Sequence, residues 1–335
     1  MKLTVIPTLS LAAFAGISLV TPVFAVVNID YVTVGNGGNA NDTATGSLYG
    51  AVAYAYQIAQ NETTISQYAE FLNVKAQTDT TGLYDTAMDS ELNIAGITRS
   101  GVSGSYSYSV VAGSGNRPIS NVSWFAAARF TNWLGNGQGS GSTETGAYTL
   151  SGATSGIFTK NVGATVWIPS EDEWYKAAYY DPNKGGLGVG GYWAQATQSN
   201  TITSNTLGAG GAANYFDGVD FAVTQSGDYS GSQNYLTDVG AYGLNSDSAY
   251  GTNDQAGNVF EWNDAVISGS SRGLRGGAWD GVAFTLPASS RYNFTPAFQS
   301  DNIGFRVASV PETSAGLLTM LSISACLTRR RRSPL

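Results

Sequence analysis

The chain contains no histidine, a single cysteine and little charge: Asp, Glu, Lys and Arg make up 12% of its 335 residues, about half the usual share. Each shortage excludes chemistry. Without histidine there is no Ser-His or Cys-His nucleophile pair and no imidazole metal site. The lone cysteine, Cys326, lies near the C-terminus, so an internal disulfide, a CxxC pair and a thiolate cluster are all ruled out. Positive charge is scarce as well. Apart from Lys2 and Arg329 to Arg332, the span from Val26 to Glu312 has 11 basic side chains (16 − 5) against 24 acidic ones, a net charge of −13. No basic stripe is available to neutralise phosphates, which excludes nucleic acid as a partner.

What the chain does have is glycine, tyrosine and small polar residues, with 42 Gly, 19 Tyr and 7 Trp, a composition common in exported proteins. Its two ends look like addresses. Residues 1–25 run from Lys2 through an apolar stretch containing Leu11, Phe14 and Leu19 to Val23-Phe24-Ala25, the order of a secretory signal cut by signal peptidase. A short membrane anchor is the alternative, although the apolar stretch falls short of the ~20 residues a spanning helix wants. Residues 310–335 contain Val310-Pro311-Glu312, an apolar run from Ala315 to Leu327, and then Arg329 to Arg332. This order resembles the PEP-CTERM sorting tail of Gram-negative exported proteins, with Thr313 in place of a second proline and Ser322 and Ser324 interrupting the run. The resemblance implies transient inner-membrane anchoring, cleavage by an exosortase-type processing enzyme and release to the cell surface or extracellular matrix. A permanent tail anchor is the alternative.

Residues 26–309 show no proline-rich linker, charge run or repeat, so they read as one domain. Three helices are marked by caps and period. Thr64 and Gln67 have capping-box spacing ahead of Ile65, Tyr68, Ala69 and Leu72. Ser123 precedes Ala126, Phe130, Trp133 and Leu134, and Ser170-Glu-Asp-Glu173 opens a third helix ending near Asp181-Pro182. Short runs such as Gly273–Trp279 and Ile303–Ala308 read as strands. The remainder is long loop, whose buried backbone groups need side chains, water or ions to satisfy them.

Six blocks, in order, resemble the formylglycine-generating-enzyme (sulfatase-modifying factor) family: Tyr49–Leu72, Arg117–Phe130, Ile168–Trp174, Gly257–Trp262, Leu274–Trp279 and Gly304–Arg306. The resemblance implies an α+β domain of C-type-lectin-like fold with few short strands, about three main helices and long loops. It also implies structural calcium. Asp254 and Glu261 would offer carboxylates, and Gly257 and Val259 carbonyl oxygens, to an ion that wants six to eight oxygens. A second site would use Asn214, the Tyr215 carbonyl and an acid further along, with Asp228 the nearest candidate and Asp217 and Asp220 its competitors. A hydrogen-bonded latch by Asp254 and Glu261, and an ordinary Asn/Asp turn at the second site, are the alternatives.

Family oxidases bind copper(I) through two cysteines lying between the Arg-Gly-Gly strand and the closing Gly-Phe-Arg. Here that window, Asp280 to Ser290, has no cysteine, and related iron enzymes need histidines, so neither redox metal is expected. The cleft residues suggested instead are Trp279 as a stacking surface, with Arg275, Arg291 and Tyr292 around it, for an extended peptide or a glycan. The alternative makes Trp279 core and has the arginines pair with Asp280 or Asp301. Glu171, Asp172 and Glu173 could form a glycosidase pair, but they sit in a helix's first turn, where acids favour the macrodipole. The expectation is an exported, calcium-stabilised, non-catalytic binding or scaffold protein whose ligand is exopolysaccharide or another exported protein. An oxidase with relocated chemistry and a matrix protein without a discrete ligand are the alternatives.

Overall fold

A computed structural model describes residues 26–202 and 204–311. The expected signal segment, residues 1–25, and the expected sorting tail beyond Pro311 lie outside the described residues, among which no helix is long and apolar enough to cross a membrane.

Each expected helix forms behind its cap. The Thr64 hydroxyl accepts from Gln67 N–H at 3.2 Å and Gln67 Oε1 accepts from Thr64 N–H at 2.9 Å, opening α1 (Ile65–Lys75). A single turn, α2 (Ala87–Ser90), has no side-chain cap, so nothing in the sequence marks it. Ser123 caps α3 (Trp124–Gly135), and a second reciprocal box, Ser170 with Glu173, caps α4 (Glu171–Tyr179). Ten residues of α3 are buried, so it crosses the core rather than resting one face on it. Phe130 of α3 meets Phe71 of α1 edge-on at 5.4 Å and Phe305 at 5.4 Å, the geometry that the ring quadrupole favours.

Two four-stranded sheets flank this core. One runs in the order Tyr31–Val34, Tyr56–Ala59, Ala308–Ser309, Val166–Trp167, which draws the two ends of the domain together. The other runs Tyr292–Phe294, Arg272–Arg275, Phe260–Val266, Ile303–Gly304, with Glu261 opposite Arg275 and a parallel pairing of Ile303 with Phe260. The expected strand over Gly273–Trp279 stops at Arg275, because Gly276 and Gly277 take φ of +102° and +76°. The expected strand over Ile303–Ala308 is two short pieces with Phe305, Arg306 and Val307 buried between them.

Buried guanidinium groups hold the loops. Arg129, Arg272, Arg275 and Arg306 are each at most 1% exposed, and each joins a carboxylate to loop carbonyls. Arg306 reaches the carbonyls of Ala59, Gln60 and Asn253, Arg275 those of Ala288 and Ser290, and Arg129 that of Ala153. Arginine suits this task because its five donors fan out in a fixed plane.

Candidate functional site

Asp254 and Glu261 come together around Arg306. The Glu261 carboxylate accepts two N–H donors from Arg306, both at 2.7 Å, and Trp174 Nε1–H at 2.8 Å. Asp254 Oδ2 accepts from Gly240 N–H at 2.5 Å. Burial pushes the Asp254 carboxyl up to about 6, with the Gly240 bond and Arg306 pulling the other way. Glu62, from the opening block, is the third acid. It is 2% exposed, neither of its oxygens has a hydrogen-bond partner, and burial followed by the Asp254 charge holds its carboxyl well above the usual range. Three carboxylates thus share one guanidinium. The loop between Asp254 and Glu261 is tightly wound: φ is +58° at Asp254, +85° at Gly257 and +61° at Asn258. A Cβ on Gly257 would fall 2.2 Å from the Asn214 carbonyl oxygen, so glycine is required there.

The calcium ligands inferred from the resemblance are placed as follows. Glu261 is saturated by N–H donors, and Gly257 N–H donates to the Gly276 carbonyl. Val259 is fully buried. Asn214 donates to the Tyr235 carbonyl and the Asn258 side chain, and the Tyr215 carbonyl accepts from Asn205. Asp228 is exposed, its contacts being with Ser226 and the Tyr235 hydroxyl. Among the described residues no group of three or more His, Cys, Asp or Glu could hold a metal ion. Glu261 and Asn214 are thus taken up by protein partners, whereas the Asp254 carboxylate accepts from Gly240 N–H.

Trp279, Arg275, Arg291 and Tyr292 do not line one open cleft. Arg275 and Arg291 both grip Glu171, at 2.7 and 2.6 Å, and flank the Tyr49 ring at 4.5 and 5.3 Å. Their partner is therefore Glu171 rather than Asp280 or Asp301, which are held by the amides of Asn302 and Asn93. Tyr292 packs edge-on against Phe260 at 5.2 Å. Glu173 closes the α4 cap and also accepts from Trp167 and Tyr54, while Asp172 accepts from Gly50 N–H. The acidic trio at the start of α4 is thus consumed by structure.

Trp279 is 3% exposed and packs with Ile94, Tyr235, Leu236 and Val259. Its ring lies 13° from parallel to Tyr235 at 5.0 Å and 16° from parallel to Tyr229 at 6.4 Å. Tyr229 is 56% exposed and forms the open face of this stack. Partial burial, and then the charges of Asp301, Glu91 and Asp280 together with Tyr235, raise its hydroxyl above the usual range. No local pattern points to Tyr229 or Tyr235, because their meeting with Trp279 depends on how a long loop folds back. Where the family oxidases have their copper ligands, residues 280–290 form a loop with one 3-10 turn, Ala283–Thr285, and offer no sulfur or imidazole.

The architecture defines a class, an α+β domain of four helices and short strands joined by long loops. The family profile for the sulfatase-modifying factor enzyme 1-like domain matches residues 30–310, and the chain belongs to that family. No curated protein matches it. Among solved structures it is similar to Treponema denticola variable protein 1, at 19% identity over 87% of this chain and 98% of that one, with a TM-score of 0.52. It is also similar to CarF, at 20% identity over 86% and 100% with a TM-score of 0.48, and to PvdO from Pseudomonas aeruginosa, at 17% over 84% and 92% with a TM-score of 0.42.

Proposed function

We propose that this domain is a non-catalytic binding module, exported by a Gram-negative bacterium and displayed at the cell surface or in the extracellular matrix. Its ligand is exopolysaccharide or another exported protein. The observation that carries the reading is the exposed Tyr229 ring, backed by Tyr235 and Trp279 and bordered by Asp280, Asp301 and Glu91. Fixed rings beside hydrogen-bonding carboxylates and amides suit a sugar face or an extended chain. Binding of the full chain to an exopolysaccharide preparation and to a mixture of exported proteins, wild type beside Tyr229→Ala, tests it. The substitution is expected to weaken the saturable component about ten-fold, the equivalent of roughly 1.4 kcal/mol. Equal binding by the two proteins would remove this surface from the account.

Calcium enters the same proposal as a stabiliser of the 254–261 loop. Asp254 and the carbonyls of Gly257 and Val259 would supply hard oxygens, and support comes from the excess of Glu62, Asp254 and Glu261 over Arg306. An ion that binds only the folded state raises the unfolding midpoint. The midpoint is therefore expected to be higher in millimolar calcium than in chelator, by a few degrees. An unchanged midpoint would assign the loop's order to Arg306 and the backbone latch alone.

A further inference from the structure

The chemistry around Tyr229 narrows the kind of partner it can meet. Tyr229, Tyr235 and Trp279 lie within 16° of parallel, with ring centroids 5.0 to 6.4 Å apart. Only Tyr229 is open to solvent, at 56% against 1% for Tyr235 and 3% for Trp279. The Tyr235 hydroxyl accepts from Ser230 N–H at 2.8 Å, which ties down the backbone next to Tyr229 and holds its ring in place. The face of such a ring carries the negative end of its quadrupole.

Three carboxylates strengthen that negative field. Asp280 follows Trp279 directly and accepts from the Asn302 amide at 3.0 and 3.1 Å. Asp301 accepts from the Asn93 amide at 2.8 Å, while the Asn93 carbonyl accepts from Tyr235 N–H at 2.9 Å, so one residue joins this acid to the stack. Glu91 accepts from the Asn121 amide at 3.2 Å, and its carbonyl accepts from Ile94 N–H, Ile94 packing with Tyr235 and Trp279. Among the described residues no salt bridge reaches Glu91, Asp280 or Asp301. Nor does a Lys or Arg of the described residues lie over any of the three rings. Elsewhere the same parts occur with a cation: Arg275 and Arg291 grip Glu171 and lie over the Tyr49 ring. The Tyr229 surface has the ring and the carboxylates, and the cation is left for a partner to supply.

We propose that this surface takes an arginine side chain from an extended segment of another exported protein, with the guanidinium lying on Tyr229 and donating to the carboxylates beside it. This rests on the reading of Tyr229 as the binding surface and names the chemistry of the partner. A guanidinium is planar, stacks on an aromatic face and directs five donors outward in one plane, so it can meet the ring and the carboxylates together. The ammonium groups of an amino-sugar polysaccharide are compact, strongly hydrated point charges without a face to stack. The net charge of −13 between Val26 and Glu312 also favours encounter with a basic segment.

Calorimetric titration of the full chain with a blocked pentapeptide, acetyl-Gly-Gly-Arg-Gly-Gly-amide, tests the assignment at an ionic strength of about 0.01 M, where screening is weak. Saturable binding is expected. The same peptide with citrulline, which keeps the shape and loses the charge, is expected to bind at least ten-fold more weakly, and the lysine peptide about three-fold more weakly. Tyr229→Leu, and the double variant Asp280→Asn with Asp301→Asn, are each expected to lose at least ten-fold in affinity for the arginine peptide, their folds checked by circular dichroism. The proposal is overturned by absence of binding to the wild type, by equal affinity for the citrulline peptide, by unchanged affinity in either variant, or by tighter binding of a glucosamine trisaccharide than of the arginine peptide. Equal affinity for the arginine and citrulline peptides, lost for both in Tyr229→Leu, would remove the cation and leave Tyr229 as the binding surface. The comparison of wild type with Tyr229→Ala on exopolysaccharide and exported proteins decides that underlying reading separately.

Discussion

Replacing Arg306 with methionine is expected to cost about 3–5 kcal/mol of stability at neutral pH, a large part of the ~5–15 kcal/mol available to a typical domain. The guanidinium is fully buried and satisfies Glu261 and three loop carbonyls at once. Methionine fills much of the volume but leaves Glu261 with one donor, Trp174, and exposes Glu62 and Asp254 to a third uncompensated charge. The loss should depend on pH, with a sign that follows from Asp254. Its folded-state carboxyl titrates near 6 rather than the ordinary 3.8. Between those values the folded protein holds a proton that the unfolded chain has lost, so this group's contribution to stability falls as pH rises from about 4 to about 6. Without Arg306 the upper end of that window moves higher, and the deficit in urea midpoint should be larger at pH 7.5 than at pH 5. A variant as stable as the wild type at pH 7.5 would mean that the loops are held by something other than this guanidinium.

Much of the frame was legible because it is local. Thr64 with Gln67, Ser123, and Ser170 with Glu173 announce three helices through side chains that bond their own backbone, and that chemistry needs no tertiary context. The need for glycine at 257 came from the structure, where the Asn214 carbonyl leaves no room for a Cβ. What escaped was long-range. Glu62 and Glu261 are 199 positions apart and meet only through Arg306; Arg291 reaches Glu171 across 120 positions. A count of nearby acids suggested Asp280 or Asp301 for the arginines, but the fold brings a helix N-terminus there instead. Trp279 could be singled out as an aromatic beside the Arg-Gly-Gly block, yet its burial and the exposure of Tyr229 depend on how a loop of ordinary composition folds back. Buried arginines answer part of the problem posed by the long loops by satisfying their carbonyls, a solution that composition alone does not reveal.

The second large effect is a complete absence of turnover. Oxidation of a peptide cysteine through copper(I) requires soft ligands that hold the metal next to the substrate thiol. Cys326 is the chain's only sulfhydryl and lies outside the window where the resemblance places the ligand pair; histidine is absent altogether. At that window the loop carries Asp280, Thr285, Ser289 and Ser290, which supply only hard oxygen donors. Mass spectrometry of a cysteine-containing peptide, incubated in air with the full chain and stoichiometric copper(I), addresses this directly. The expected result is peptide recovered with no formylglycine beyond the amount in a protein-free control. Formylglycine produced over repeated turnovers, and abolished when the protein is heat-denatured, would contradict the reading of this domain as a binding module without oxidase chemistry.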